Sequence, residues 1–353
     1  MARRFPELKG VIWYMIFMPY YFFFICIMFL GIFVCISSCR WLYIWIGLEI
    51  NLLSFIPLII CGSNDIESEG AIKYFLVQSL GSSLILLSYF SFMIFLVGFT
   101  YGFKLYSWIL ISSLIVKIGV FPFHYWLPQV INRASWFNCF LVSVVQKIAP
   151  SFIMCFMLQG EGFIFTLILG SLGSVFGGFN GIGQRQLRII LAYSSIGHLG
   201  WIMCSMYFSF YVFIYYYIIY RFIRSGLILL LSVYPFKVVN LSRLNHTPSP
   251  FIIFISLSFL SLSGLPPFLG FYSKLLVIYY MVYFNMSFYS VGLLIGSLIN
   301  LFYYLRIFFN LYVLSLYKSL YTQSMVFFGF FSFMFSVVLN LSYFGFGFLY
   351  LLF

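Results

Sequence analysis

Long apolar runs, separated by short stretches carrying charge, glycine or proline, follow one another from about residue 12 to residue 352. A run of about 20 apolar residues is long enough to cross the roughly 30 Å hydrocarbon layer as a helix. The pattern predicts eleven spans, over about 12–37, 41–62, 71–100, 105–131, 136–158, 162–179, 187–206, 209–234, 250–284, 287–316 and 325–352. Each is expected to be helical, because a lone strand leaves its backbone groups unsatisfied in lipid.

Composition sharpens that picture. Of 353 residues, 64% are hydrophobic and only 7% charged, where a soluble domain carries about a quarter. A soluble globular protein is excluded, and the fold class predicted is an all-α polytopic membrane protein filling 1–353 as a single membrane domain. The net charge of +12 comes from 18 basic residues against 6 acids. The basic residues are spread thinly between apolar runs rather than gathered on a face, so nucleic acid is not an expected partner.

Sorting loop charges onto alternate sides puts Arg3, Arg4, Lys9, Lys73, Arg133, Arg185, Arg188, Lys237, Arg243 and Lys318 on one side and Arg40 and Lys104 on the other. Positive charge accumulates on the side of insertion. The imbalance predicts an odd number of spans, with the N-terminus on the matrix or cytoplasmic side and the C-terminus opposite. The basic N-terminal stretch reads as the charged foot of a first span, since the apolar run behind it is too long for a signal peptide. The seven cysteines show no CxxC pair and are expected to be small buried apolar groups.

Two spans are interrupted by glycine and proline near mid-depth. The first reads Lys117-Ile118-Gly119-Val120-Phe121-Pro122-Phe123-His124, the second Ser263-Gly264-Leu265-Pro266-Pro267-Phe268-Leu269-Gly270 with Lys274 beyond it. Aligned on Gly-x-x-Pro-Phe, Gly119 matches Gly264, Pro122 matches Pro267 and Phe123 matches Phe268. Proline removes a backbone donor and clashes with the preceding turn, so each span is expected to form two half-helices. Breaks at corresponding places in two halves point to a transporter built from repeats. They fall in spans four and nine, an odd separation, which predicts an inverted repeat: an N-terminal helix over 1–40, a first repeat over 41–158, a second over 162–316 and a closing helix over 325–352.

A charge at the bilayer centre costs about 2.5 to 3.5 kcal/mol on insertion scales, so charges kept there need a reason. Glu49 is the one acid placed inside a predicted span, beside three lysines, Lys117, Lys147 and Lys274. A lysine in oil without a counter-charge exists readily as the neutral amine, and a nearby carboxylate restores its proton. The residues suggest a proton path in which Glu49 modulates Lys117, Lys147 is the central relay and Lys274 is the exit or the link to the next site. The bland alternative is a set of structural ion pairs, or lysines whose stems reach to an interface. His124 and His198 are candidate relays of neutral-pH titration; His246 is assigned nothing. Gly177 to Gly183 superficially resembles a phosphate loop but lacks its spacing and is expected to be an inter-span turn. Arg221 and Arg224 fall near the middle of span eight, where they line a water path, pair with a partner subunit or mark a misplaced span. The sequons at Asn240, Asn245, Asn285 and Asn340 arise easily by chance.

The segments WIGLEINLLSFIP (45–57), KIGVFPFHYWLP (117–128), QKIAP (146–150), QLRIILAYSSIGHLGW (186–201) and SLSGLPPFLGFYSK (261–274) together resemble the subunit 2 family of mitochondrial NADH:ubiquinone oxidoreductase, respiratory complex I. The resemblance covers residues 40 to 280 in the family's order. It implies an antiporter-like, proton-translocating, non-redox subunit of the inner-membrane arm, with two inverted five-helix repeats. Glu49, Lys117, Lys147 and Lys274 fall on that family's Glu and three Lys positions. It also implies no cofactor on this chain, with NADH, FMN, iron–sulfur clusters and ubiquinone held by other subunits. The partners implied are membrane-arm and accessory subunits and phospholipids such as cardiolipin. The location implied is the mitochondrial inner membrane, N-terminus in the matrix and C-terminus in the intermembrane space. A start without a targeting peptide, with 49 Phe and 29 Tyr, suits a mitochondrially encoded chain. The longer basic N-terminus and the Arg221 and Arg224 pair depart from the family pattern. Two other classes stay open: a free-standing cation/proton antiporter of the same ancestry, and a structural filler of the membrane arm.

Overall fold

Every regular element among the described residues is a helix. The computed structural model describes residues 19–60, 65–96, 101–158, 164–233 and 249–319. The basic N-terminal stretch, the expected last span 325–352, Cys61, Lys237, Arg243, His246 and the sequons at Asn240, Asn245 and Asn340 lie outside them.

In chain order the helices are α1 (Pro19–Ser37), α2 (Trp41–Ile60), α3 (Asp65–Leu96), α4 (Tyr101–Ile118), α5 (Trp126–Arg133), α6 (Trp136–Phe140), α7 (Ile148–Leu158), α8 (Ile164–Ile182), α9 (Leu187–Phe208), α10 (Phe210–Val233), α11 (Ser249–Ser263), α12 (Leu269–Tyr283) and α13 (Ser287–Ser319). A π turn over Leu141–Val145 lies between α6 and α7. Eight stretches are long and apolar enough to cross a membrane, with shorter apolar helices at Tyr106–Ile118, Ile252–Ser263 and Leu269–Tyr283. The shorter pieces belong to spans four and nine, the two expected to break. Burial of apolar side chains does little to hold such helices together in lipid, so close packing and internal hydrogen bonding must do more.

The chain forms two compact units, Met1–Glu161 and Gly162–Phe353. In the first, α2 packs on α1 and α3, α3 on α4 and α5, and α7 on α1 and α4. Close approach of α1 and α2 depends on Gly31 and Gly47: a Cβ at Gly31 would stand 2.8 Å from the Gly47 carbonyl oxygen. In the second, α8 packs on α9 and α13, and α10 on α9, α11 and α12.

Three details differ from the sequence expectations. First, α3 begins at Asp65 rather than near residue 71, so Glu67 and Glu69 are helical and Glu49 is not the only acid on a spanning helix. Carboxylates favour the positive N-terminal end of a helix; Glu69 there pairs with Lys73 Nζ at 3.0 Å and with Arg133. Second, Gly177, Gly178 and Gly181 form no turn but lie in α8, buried. A Cβ at Gly177 would come 2.7 Å from the Gly197 nitrogen, and one at Gly181 2.9 Å from the Tyr303 ring, so these glycines let α9 and α13 close on α8. Third, Cys35, Cys139, Cys155 and Cys204 are buried as expected, whereas Cys26 is half-buried and Cys39 is exposed in the link after α1.

Candidate functional site

Interrupting a helix in oil frees backbone carbonyls that water cannot reach, and each needs a partner. At the first break, α4 ends after Lys117 and Ile118, and Gly119 turns the chain at φ +77°. The Gly119 and Val120 nitrogens donate to the Ile115 carbonyl at 2.9 and 3.2 Å. The freed Val116 carbonyl accepts from Trp126 Nε1 at 3.2 Å, and the Lys117 carbonyl from Gln78 Nε2 at 3.1 Å. At the second break, Gly264 takes φ +78°, and the freed Ser263 carbonyl accepts from Lys274 Nζ at 2.6 Å. The aligned glycines thus share one backbone role.

All three predicted lysines are buried: Lys117 is 4% exposed, Lys147 2% and Lys274 7%. Glu49, half-buried on α2, interacts electrostatically with Lys117. Gly81 on α3 makes room for the lysine stem, since a Cβ there would lie 2.6 Å from Lys117 Cγ. Lys147 follows the π turn, where the Gln146 nitrogen donates to the Leu141 carbonyl five residues back at 2.9 Å. Single π turns inside α-helices occur frequently at functional sites. Ser151 Oγ donates to the Lys147 carbonyl at 2.6 Å, and Tyr74 OH donates to Gln146 Oε1 at 3.2 Å. Tyr74 and Gln78, one turn apart on α3, therefore join the surroundings of Lys147 to those of Lys117. They are residues that sequence reasoning missed, although a Tyr/Gln pair four residues apart in an apolar span was a visible signal.

The second unit gathers a different set. Lys274 Nζ lies 5.8 Å from the centre of the Trp201 ring and interacts electrostatically with His198. His198 Nδ1 lies 3.0 Å from Tyr216 OH, and its ring stacks on Tyr220 at 4.7 Å. A small cavity opens among His198, Tyr216, Tyr220, Ser261 and Ser273. Arg221 and Arg224 sit well inside α10, 7% and 1% exposed, so the span was not misplaced. Arg224 Nη1 donates to Tyr220 OH at 3.1 Å, and the Arg221 guanidinium lies 4.4 Å over the Tyr217 ring. His124, in the linker between α4 and α5, is 1% exposed. Its Nδ1 lies 3.2 Å from the Pro122 carbonyl and its ring stacks on Tyr125, which ties it to the linker itself.

The structure therefore brings together Glu49 with Lys117 in the first unit and His198 with Lys274 in the second. A family model described as NADH:quinone oxidoreductase/Mrp antiporter, TM, matches residues 38–300. The chain belongs to this family.

Relatives within this oxidoreductase and antiporter family include the NADH-ubiquinone oxidoreductase chain 2 of Locusta migratoria, 37% identical over 80% of this chain and 82% of the relative. That of Lumbricus terrestris is 36% identical over 77% and 81%. Among solved structures, respiratory complex I from Thermus thermophilus with bound aureothin aligns at a TM-score of 0.74 and 22% identity, over 83% of this chain and 70% of that one. The Mrp complex from Dietzia sp. DQ12-45-1b aligns at 0.73 and 18% identity, and there the chain spans 59% of the matched one. Both likenesses, below 25% identity, concern the fold.

Proposed function

We propose that this chain is a membrane-arm subunit of the proton-pumping NADH:ubiquinone oxidoreductase of the mitochondrial inner membrane, and that it moves protons without taking part in redox chemistry. The observation that carries the reading is the recurrence of one device: an interrupted helix with a buried lysine at the break, Lys117 before Gly119 and Lys274 bonded to the carbonyl before Gly264. Family membership supports it, as do relatives named for chain 2 of that oxidoreductase.

In this reading residues 41–158 and 162–316 are inverted repeats. Glu49 sets whether Lys117 keeps its proton, because an opposite charge nearby favours the ammonium form and its loss favours the amine. Lys147 is the relay of the first unit, with Tyr74 and Gln146 beside it. His198 and Lys274 accept and release the proton in the second, and His124 is an auxiliary relay. NADH, FMN, iron–sulfur clusters and ubiquinone belong to other subunits, whose conformational work biases the charge states here. The neighbours are other membrane-arm and accessory subunits with phospholipids such as cardiolipin, and the N-terminus faces the matrix.

The test is Lys147→Met in the assembled complex, reading protons translocated per NADH oxidised in sealed inner-membrane vesicles. We expect normal assembly and a severalfold lower yield; a wild-type yield removes Lys147 from the path. A free-standing antiporter would purify alone, whereas the subunit arrives with many partners.

A further inference from the structure

The two units differ in a way that bears on how the second works. All six acids of the chain, Glu7, Glu49, Asp65, Glu67, Glu69 and Glu161, lie at or before residue 161. Residues 162–353 carry nine basic side chains and no carboxylate. Lys117 has Glu49 to modulate it; no acid of its own unit does the same for Lys274.

Where the first unit has an acid, the second holds buried guanidinium groups, Arg221 and Arg224. Arg224 is one of the largest fully buried side chains of the protein. It reaches His198 through one residue: Nη1 donates to Tyr220 OH at 3.1 Å, and the Tyr220 ring stacks on the His198 ring at 4.7 Å. Arg224 and Lys274 both act electrostatically on His198. A guanidinium keeps its proton under all conditions a protein meets, whereas lysine and histidine give theirs up. Like charges repel strongly where the medium screens poorly.

The ionisable groups facing this point can be named element by element. From α9 they are His198 and Cys204, and from α12 Lys274. From α10 itself they are Tyr216, Tyr217, Tyr220 and Arg221, and from α13 Tyr303 and Tyr304. The helix α11 carries none. None of them is a carboxylate.

Resting on the proton-transfer reading above, we propose that Arg224 is a positioning residue: its permanent charge, brought to His198 by Tyr220, prevents His198 and Lys274 from holding protons at the same time. Protons then cross this unit singly. The acid of the first unit offers its lysine partner a counter-charge; the guanidinium of the second limits how many protons its two acceptors share.

The test compares Arg224→Gln and Arg224→Lys with wild type and with Lys147→Met in the assembled complex, reading protons translocated per NADH oxidised between about pH 6 and 9. Arg224→Gln keeps a donor for Tyr220 and loses the charge, and its yield should fall severalfold. Arg224→Lys should approach wild type at the acid end and decline toward the glutamine variant at the alkaline end, because a buried ammonium sheds its proton where a guanidinium does not. A wild-type yield in Arg224→Gln overturns the proposal. So does an Arg224→Lys profile that matches either wild type or Arg224→Gln at every pH; if Arg224→Gln fails to assemble, an Arg224→Lys profile matching wild type at every pH overturns the proposal by itself. A wild-type yield in Lys147→Met removes Lys147 from the path, as above; loss there with unaffected Arg224 variants sinks only the role of Arg224.

Discussion

Tyr74 donates its hydroxyl to Gln146 Oε1 across 3.2 Å, joining two residues 72 positions apart. Tyr74 also packs edge-on against Phe55 at 5.1 Å and Trp126 at 5.9 Å, so its hydroxyl is held rather than free to swing. Gln146 is thereby fixed beside Lys147, at the point where the helix passes from the π turn to α7.

Tyr74→Phe tests that link. The ring packing survives and the bond to Gln146 is lost, at a cost of about 0.5 to 1.5 kcal/mol. Assembly should be normal and proton yield reduced severalfold at unchanged NADH binding. A wild-type yield from vesicles of this variant would show that Gln146 needs no anchor.

Gly81→Ala adds one methyl against Lys117 Cγ, 2.6 Å away. The lysine stem is flexible and can shift, so the fold should persist while the ammonium leaves its place near Glu49. The expected result is loss of pumping comparable to that of Glu49→Gln, measured in the same vesicles, with little change in complex abundance.

At the second break, Gly264→Ala combines two penalties. The backbone at φ +78° costs an ordinary L residue about 1 to 2 kcal/mol, and the new Cβ would lie 2.9 Å from Lys274 Nζ. Relief of the contact pulls Nζ off the Ser263 carbonyl. Proton yield should fall further than in Ser273→Ala, which leaves Lys274 in place; equal yields would show that the bond to Ser263 does not matter.

The glycines of α8 predict a structural effect instead. In Gly177→Val the new side chain meets the backbone nitrogen of Gly197 at 2.7 Å, where nothing flexible can yield. The amount of assembled complex on native gels should drop sharply. A turn at this position would tolerate valine, so normal assembly would restore the loop reading.

That contrast shows what was legible in the sequence. The spans among the described residues, the two breaks and their lysines could be read because lipid forces long apolar runs into helices and because a retained charge stands out against oil. Gly177 to Gly183 misled because glycine marks both a turn and a close helix crossing, and only the neighbours across the interface, Gly197 and Tyr303, distinguish them. The start of α3 was set too late because Asp65, Glu67 and Glu69 look like a loop, although acids suit a helix N-terminus. Tyr74, Gln78 and Tyr220 went unnoticed because their importance lies in partners 39 to 72 residues away or on rings that aromatic abundance hides.

The π turn over Leu141–Val145 contains one residue more than an α-helical turn would use. Rewinding it as ordinary α-helix, with no residue removed, would swing Lys147 by about 100° about the axis relative to Trp136–Phe140. The bearing of that lysine is therefore governed by how the segment before it is wound, and any force from outside that tightened or loosened the coil would steer the ammonium group without touching it.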